Sequence, residues 1–82
     1  MGLLFLANHT YITDVIHIRP VAIRALMRRE GMVTQVDFGD RLGWDKSRVS
    51  RLLNGRVNPG PKTINRLCEI LRCQPGDILE YR

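Results

Sequence analysis

The sequence predicts an all-α fold, a five-helix bundle with a short β-strand or hairpin extension at its amino-terminal end. From Pro20 onward apolar residues recur every three or four positions, the spacing of helices with one buried face. Glycine and proline divide this region into five short runs. The preceding stretch "TYITDVIHI" is instead rich in β-branched and aromatic residues, which is typical of a strand. We therefore divide the chain into an extension, residues 1–19, and a helical domain, residues 20–82.

The extension comes first along the chain. "LLFL", at positions 3–6, could form a partner for the predicted strand across the segment "ANHT". The first helix then begins at Pro20, since proline suits the first helical position, and Gly31 follows its end.

The second and third helices are delimited by polar caps and glycines. Thr34 can cap the second helix, which stops at Gly43. Asp45 can cap the third helix, which ends at Gly55. A fourth helix opens at Pro61 after the loop "VNPGP", and the segment from Pro75 to Leu79 predicts a short fifth helix.

The residue types that would support catalysis or metal binding are sparse. Cys68 and Cys73 lie five positions apart at a helix end, where their Cβ vectors should diverge, so we expect two unbridged thiols in a reducing cytoplasm. No ligand spacing joins them to His9 or His17, and we expect no metal and no cofactor. No nucleophile–base pair, carboxylate pair or phosphate-binding glycine loop is present, so an enzyme is not predicted. The apolar opening "MGLLFLA" is too short for a membrane span and lacks the basic flank of a signal peptide.

Residues 35–54 have the spacing of two short helices that meet at a steep angle across "GWD". Gly43 suits the tight turn, because a positive φ is accessible without a side chain. Gly39 lies inside the second helix, where close approach of the third helix would explain a glycine. Alanine at this position is expected to fold normally, whereas leucine should push the two helices apart. Trp44 is assigned to the core rather than to an exposed platform for RNA bases.

Positive charge is concentrated in one part of the chain. The whole chain carries a formal charge of +5. Residues 41–66 hold seven cations and one anion, Asp45, and the rest is therefore close to neutral. At 100° per residue, Val49, Leu52 and Leu53 cluster on one side of the third helix, and polar and basic residues occupy the other. This pattern favours a helix that lies in the major groove of DNA, where Arg51 could donate paired hydrogen bonds to a guanine edge.

The stretch from "TQVDFGDRLG" through "WDKSRVSRLLNGR" to "NPGPKTINRLCEILRCQPGDILEY" resembles the Cro/CI-type (XRE-like) helix-turn-helix domain of small transcriptional regulators. The matching features are the Thr-Gln opening of the second helix, the small residue Gly39, the turn glycine, Val49 in the packing slot and the Asn-Gly ending. Gly39 departs from the usual alanine, Trp44 replaces a smaller aliphatic residue, and "GMVTQ" is one residue longer than the common loop.

The resemblance implies specific DNA contacts. Base contacts are expected from the start of the third helix and one turn later: Lys46, Ser47 and Arg51. Phosphate contacts are expected on both sides of the groove: Gln35, Arg48, Asn54 and Arg56. Arg48 could also contact a base. Lys62 and Arg66 are either further phosphate ligands or part of a solvated face.

The predicted function is sequence-specific binding of double-stranded DNA by a transcriptional repressor or autoregulator, acting as a homodimer on a two-fold site. Ten of the sixteen residues from Leu3 to Ile18 are apolar or tyrosine, which favours the extension as the dimer contact. Two alternatives remain: the strand folds back over its own first and last helices, or the protein is an antitoxin-like interaction module that wraps a protein partner.

Overall fold

A computed structural model describes residues 16–81, in which five helices lie between two short strands. The elements in chain order are β1 (Ile16–Ile18), α1 (Pro20–Arg29), α2 (Gln35–Leu42), α3 (Lys46–Leu53), α4 (Pro61–Leu71), α5 (Pro75–Ile78) and β2 (Leu79–Tyr81). The predicted fold class and the five predicted helices are confirmed. Residues 1–15, which include the candidate strand "LLFL", and residue 82 lie outside the described part.

A single apolar core joins the helices. α1 packs against α3, α4 and α5, and α2 packs against α3 and α4. The most deeply buried side chains come from all five helices and include Ile23, Phe38, Val49, Leu67 and Ile78. No polar or charged residue is buried among residues 16–81. Apolar contacts in this core therefore hold α2 and α3 at a fixed angle.

The helix starts follow the signals in the sequence. Pro20, Pro61 and Pro75 occupy first-turn positions of their helices. Thr34 caps α2 through a reciprocal pair of bonds, in which the backbone N–H of Asp37 donates to Thr34 Oγ1 at 3.1 Å and the Thr34 N–H donates to the Asp37 carboxylate at 3.1 Å. These bonds lower the pKa of Asp37, the backbone bond from Thr34 being the largest cause. Asp45 caps α3 by accepting the N–H of Arg48 at 2.8 Å.

The turn between α2 and α3 is fastened to Gly39. Gly43 adopts a left-handed conformation, with φ 73°, and its N–H donates to the carbonyl of Gly39. The N–H of Trp44 donates to the same carbonyl at 2.9 Å. Both bonds fix the direction in which the chain leaves α2, and thus the entry into α3.

The structure argues against the expectation that alanine would fold normally at position 39. A Cβ on Gly39 would lie 2.9 Å from the carbonyl oxygen of Trp44 and 3.2 Å from Cγ2 of Val49. Trp44 is bonded back to Gly39 through its own N–H, so its backbone cannot retreat without breaking that bond. The close approach that the sequence predicted is present, but it is too tight for a methyl group.

Arginines from neighbouring helices satisfy the carbonyl groups at three helix ends. Arg24 of α1 donates to the Leu53 carbonyl of α3 at 3.2 Å. Arg29 of α1 donates to the carbonyls of Leu71 and Arg72, at the end of α4, at 2.7 and 2.8 Å. A longer contact of 3.4 Å joins Arg66 of α4 to the Arg41 carbonyl of α2. These cations complement the negative ends of the helix dipoles, a use of arginine that the sequence analysis did not predict.

β1 pairs antiparallel with β2, with Ile16 opposite Tyr81 and Ile18 opposite Leu79. The N–H of Arg19 extends the contact by donating to the Ile78 carbonyl at 2.7 Å. The side chain of Ile18 is buried in the core. The end of the extension therefore packs along one edge on its own chain, beside the last helix.

Cys68 and Cys73 are free thiols, as predicted, and both are half-buried. Arg72 adopts a left-handed conformation after α4, and the N–H of Cys73 donates to the Cys68 carbonyl at 3.0 Å. Burial and the neighbouring Cys68 raise the pKa of Cys73 to about 11, so this thiol stays protonated at neutral pH.

Candidate nucleic-acid interface

α3 has one buried and one exposed face. Val49, Leu52 and Leu53 are buried in the core. The opposite side is exposed or half-buried and consists of Lys46, Ser47, Arg48, Ser50, Arg51 and Asn54. The helical spacing of the sequence predicted this division. It leaves a convex ridge of basic and small polar side chains on the outside of the domain.

The three predicted base-contacting residues lie together on this ridge. Lys46, Ser47 and Arg51 surround a shallow groove with Ser50. None of the three side chains makes an ion pair or hydrogen bond with another residue between 16 and 81, so their donors remain available to a ligand. Because Ser47 and Ser50 are small, a planar base edge could approach the helix between the two longer cations.

The predicted phosphate ligands lie around the ridge. Gln35 begins α2 and lines an apolar cleft together with Lys46, the first residue of α3. Asn54 follows α3, and its Nδ2 donates to Ser50 Oγ at 3.2 Å. Arg56 is exposed beyond the helix end. These groups lie on both sides of the candidate base-contacting residues, as a ligand that crosses the ridge would require.

The two residues left open by the sequence differ in the structure. Both Lys62 and Arg66 are exposed. Arg66 makes its long contact with the end of α2, whereas the side chain of Lys62 has no hydrogen bond or ion pair within the described range. Arg66 therefore has a structural role that Lys62 lacks.

Charge on the ridge is almost entirely positive. The carboxylate of Asp45 accepts the backbone N–H of Arg48 and so belongs to the helix cap. Asp40 of α2 is the other nearby acid and lines the cleft with Gln35 and Lys46. The exposed face of α3 itself carries cations without acids, which suits a polyanion.

Trp44 packs against the core, as the sequence predicts, but a second residue contacts the face of its indole. Its side chain is half-buried and packs against the core. The Arg48 guanidinium lies over the indole, with Cζ 3.9 Å from the ring centroid. The spacing of an aromatic residue and an arginine four positions later, across the start of a helix, was the signal for this contact.

The family model for the Cro/C1-type helix-turn-helix DNA-binding domain matches residues 22–82, which extends from α1 to beyond β2. This chain belongs to that family. Within the Cro/C1-type domain, α2, the turn at Gly43 and α3 are the helix-turn-helix, and α3 is the helix whose exposed face carries the cations. The family resemblance predicted from the sequence is confirmed.

One relative carries a name that concerns regulation. It comes from Bacillus subtilis strain 168 and is described as the uncharacterized HTH-type transcriptional regulator YozG. This Cro/C1-type chain is 40% identical to it over 58 residues, which are 70% of this chain and 67% of the relative. No solved structure matches the chain significantly.

The described part of this Cro/C1-type chain offers neither a cluster of metal ligands nor a membrane-spanning helix. Among residues 16–81, no three histidine, cysteine, aspartate or glutamate side chains are grouped so that they could hold a metal ion. Over the same residues, every helix is too short or too polar to cross a membrane.

Proposed function

We propose that this protein is a sequence-specific, double-stranded DNA-binding transcriptional regulator, a repressor or autoregulator that binds a two-fold site as a homodimer. The observation that carries the proposal is the exposed face of α3, where Lys46, Ser47 and Arg51 make no side-chain hydrogen bond or ion pair with the other described residues. The name of the Bacillus subtilis relative supports the regulatory role. A bound dimer would act by occupying DNA that the transcription machinery needs.

In this proposal α3 lies in the major groove. Arg51 donates two parallel hydrogen bonds to O6 and N7 of a guanine, because a guanidinium presents paired donors. Lys46 and Ser47, one turn earlier, contact neighbouring base edges. Ser50 leaves room for the helix backbone to approach the floor of the groove.

Phosphate contacts fix the helix in register with the bases. Gln35 and the free N–H groups at the start of α2 would bind one phosphate, since a helix amino end attracts anions. Arg48 would bind on the same side, and Asn54 and Arg56 on the other.

The proposal is tested by selecting bound fragments from a genomic DNA pool at near-physiological salt. We expect enrichment of a short motif with two-fold symmetry, whose half-sites are spaced by about one helical turn. Recovery of unenriched DNA would indicate binding without sequence specificity and would contradict the proposal. Recovery of a protein partner and no DNA would instead favour the interaction-module alternative.

Replacing Arg56 with alanine should weaken binding to specific and random DNA alike. If Arg56 neutralises one phosphate, the slope of log K against log salt should fall in magnitude by about 0.9 per protomer. Titrations at four or more salt concentrations measure the slope. Arg28→Ala removes the same charge from the exposed last turn of α1 and is the matched control, with no expected change in slope. A change in discrimination between bases would contradict the assignment of Arg56 to phosphate.

The homodimer is proposed to form through the extension. Within the extension, Ile16 of β1 forms an exposed cross-strand pair with Tyr81 at one end of the β1–β2 ribbon. Exposed apolar side chains at the end of a two-stranded ribbon favour burial against a further surface. A second copy of the chain, related by two-fold symmetry, would supply that surface.

Deleting residues 1–13 should convert the protein into a folded monomer that binds half-sites weakly. The mass is measured by light scattering at micromolar concentration, and circular dichroism checks that the five helices are retained. An unchanged dimer after the deletion would contradict this assignment and move the interface to α4 and α5.

A further inference from the structure

The contact between Trp44 and Arg48 lies at the edge of the proposed DNA-binding surface. Trp44 precedes the cap of α3, and Arg48 lies in the first turn of that helix. The Trp44 indole packs against the core, and the Arg48 guanidinium covers it from outside, 3.9 Å above the ring centroid. The core therefore fixes the aromatic platform on which the guanidinium lies.

This arrangement restrains Arg48 without consuming its hydrogen-bond donors. Its backbone N–H is bound to the Asp45 carboxylate at 2.8 Å, so the start of the side chain is fixed as well. Its guanidinium makes no hydrogen bond or ion pair with any other residue of the range 16–81. A stacked guanidinium still presents its N–H groups outward in its own plane, the geometry that phosphate and carboxylate oxygens accept.

Trp44 also lies between two other proposed DNA contacts. Its side chain lines the apolar cleft that Gln35 and Lys46 border. Gln35 from the start of α2 and Lys46 from the start of α3 therefore line the same cleft as the indole that Arg48 covers.

We propose that Trp44 is a positioning residue for DNA binding, which holds the Arg48 guanidinium ready to bind a DNA phosphate beside the bases that α3 contacts. The inference rests on the proposed DNA-binding function and adds a role for a residue outside α3. A free arginine loses rotamer freedom when it binds, and the stacked arginine has lost part of that freedom already. The contribution is to affinity for all DNA sequences, because a phosphate carries no base identity.

The competing explanation is that Trp44 only fills space between the turn and the core. A double-mutant cycle separates the two explanations. Binding to the selected DNA is measured for the parent, Trp44→Leu, Arg48→Ala and the double variant. We expect Trp44→Leu to weaken binding about two- to fivefold in the parent, part of the cost of immobilising an arginine side chain, and to have almost no effect in the Arg48→Ala background. Equal losses in both backgrounds would overturn the inference.

Trp44→Phe serves as the conservative variant. It keeps an aromatic face for Arg48 and should restore most of the binding that leucine loses, while random and selected DNA should respond alike. Should Trp44→Leu fail to fold, as judged by circular dichroism, the phenylalanine variant and Arg48→Ala alone complete the test. In that case Trp44→Phe should retain most of the parent's binding, and any small loss should disappear in the Arg48→Ala background; a loss of the same size in both backgrounds would overturn the inference.

Fluorescence provides a readout that does not require DNA. Trp44 is the only tryptophan of the chain, so its emission reports the environment of this one indole. Arg48→Ala should change the emission intensity or wavelength of the free protein, whereas Arg51→Ala, which removes an equal charge from the same helix, should not. Identical spectra for the parent and Arg48→Ala would overturn the stacked contact.

If the contact appears in fluorescence but the parent binds no DNA, the proposed function has failed, and the inference fails with it. If the parent binds and the cycle is additive, only the inference has failed.

Discussion

Leucine in place of Gly39 is expected to destabilise the domain by about 3 kcal/mol or more, the upper range for overpacking of a close helix contact. The first side-chain carbon would already lie 2.9 Å from the Trp44 carbonyl oxygen, and the remaining atoms would have to enter the space between α2 and α3. The two helices would separate, and the turn bonds to the Gly39 carbonyl would break. Urea unfolding followed by circular dichroism measures the loss.

Alanine at position 39 should have a smaller but still unfavourable effect. The gain in helix propensity is about 0.5–1 kcal/mol, and displacement of the Trp44 backbone should exceed it. Gly76 provides the matched control, because it also lies in a helix and a Cβ there would meet nothing within 4 Å. Gly76→Ala should therefore be neutral or stabilising. If Gly39→Ala behaves like Gly76→Ala, the close approach between the turn and α2 is not as tight as the structure has it.

Alanine in place of Arg51 is expected to weaken binding to the selected DNA site by about 1–3 kcal/mol, roughly 5- to 150-fold. Binding to random DNA should fall much less, because a base contact contributes only where the matching base is present. Discrimination should flatten at one base position in each half-site. Competition between the selected site and single-base variants, at fixed salt, measures both effects.

Two controls separate this outcome from simpler explanations. Arg28→Ala removes an exposed cation from α1, and it should leave the preference between sites unchanged. Arg51 lies on the exposed face and makes no side-chain bond in the described structure, so the variant should unfold at the same temperature as the parent. Equal losses on selected and random DNA would make Arg51 a phosphate ligand.

Much of the helical architecture could be predicted because its signals are local. Proline in a first turn, Thr34 and Asp45 as caps, and glycine at the turn each act within a few residues of their own position. The buried side of α3 likewise follows from the spacing of Val49, Leu52 and Leu53. Local rules therefore determined where helices begin and which face of α3 is exposed.

Contacts between distant segments could not be predicted in this way. Arg24 and Arg29 look like solvated cations in the sequence, and only the packing of α1 brings them to the ends of α3 and α4. The N–H of Cys73 reaches the Cys68 carbonyl because Arg72 adopts a left-handed conformation, which is unusual for a residue other than glycine. In both cases the decisive information lies in tertiary geometry.

The exposed face of α3 could be predicted, because it follows from the spacing of the buried residues. Gln35 at the start of α2, Asn54 at the end of α3 and Arg56 beyond it are partly or fully exposed. Their individual contacts with bases and phosphates stay predictions. The stacking of Arg48 on Trp44 could not be predicted in this way, because an aromatic residue beside the core is expected to direct its whole side chain inward.

The pairing of β1 with β2 has a consequence for the order in which the chain folds. Its two strands are roughly sixty positions apart, so closing that loop carries a large entropic penalty, whereas α2 and α3 are neighbours in sequence. At a synthesis rate of about 5–20 residues per second, β2 is made roughly 3–12 s after β1. During that interval the helix-turn-helix can already assemble. The ribbon should therefore be the last part to form and the first to open in hydrogen exchange, with protection well below that of the α2–α3 pair.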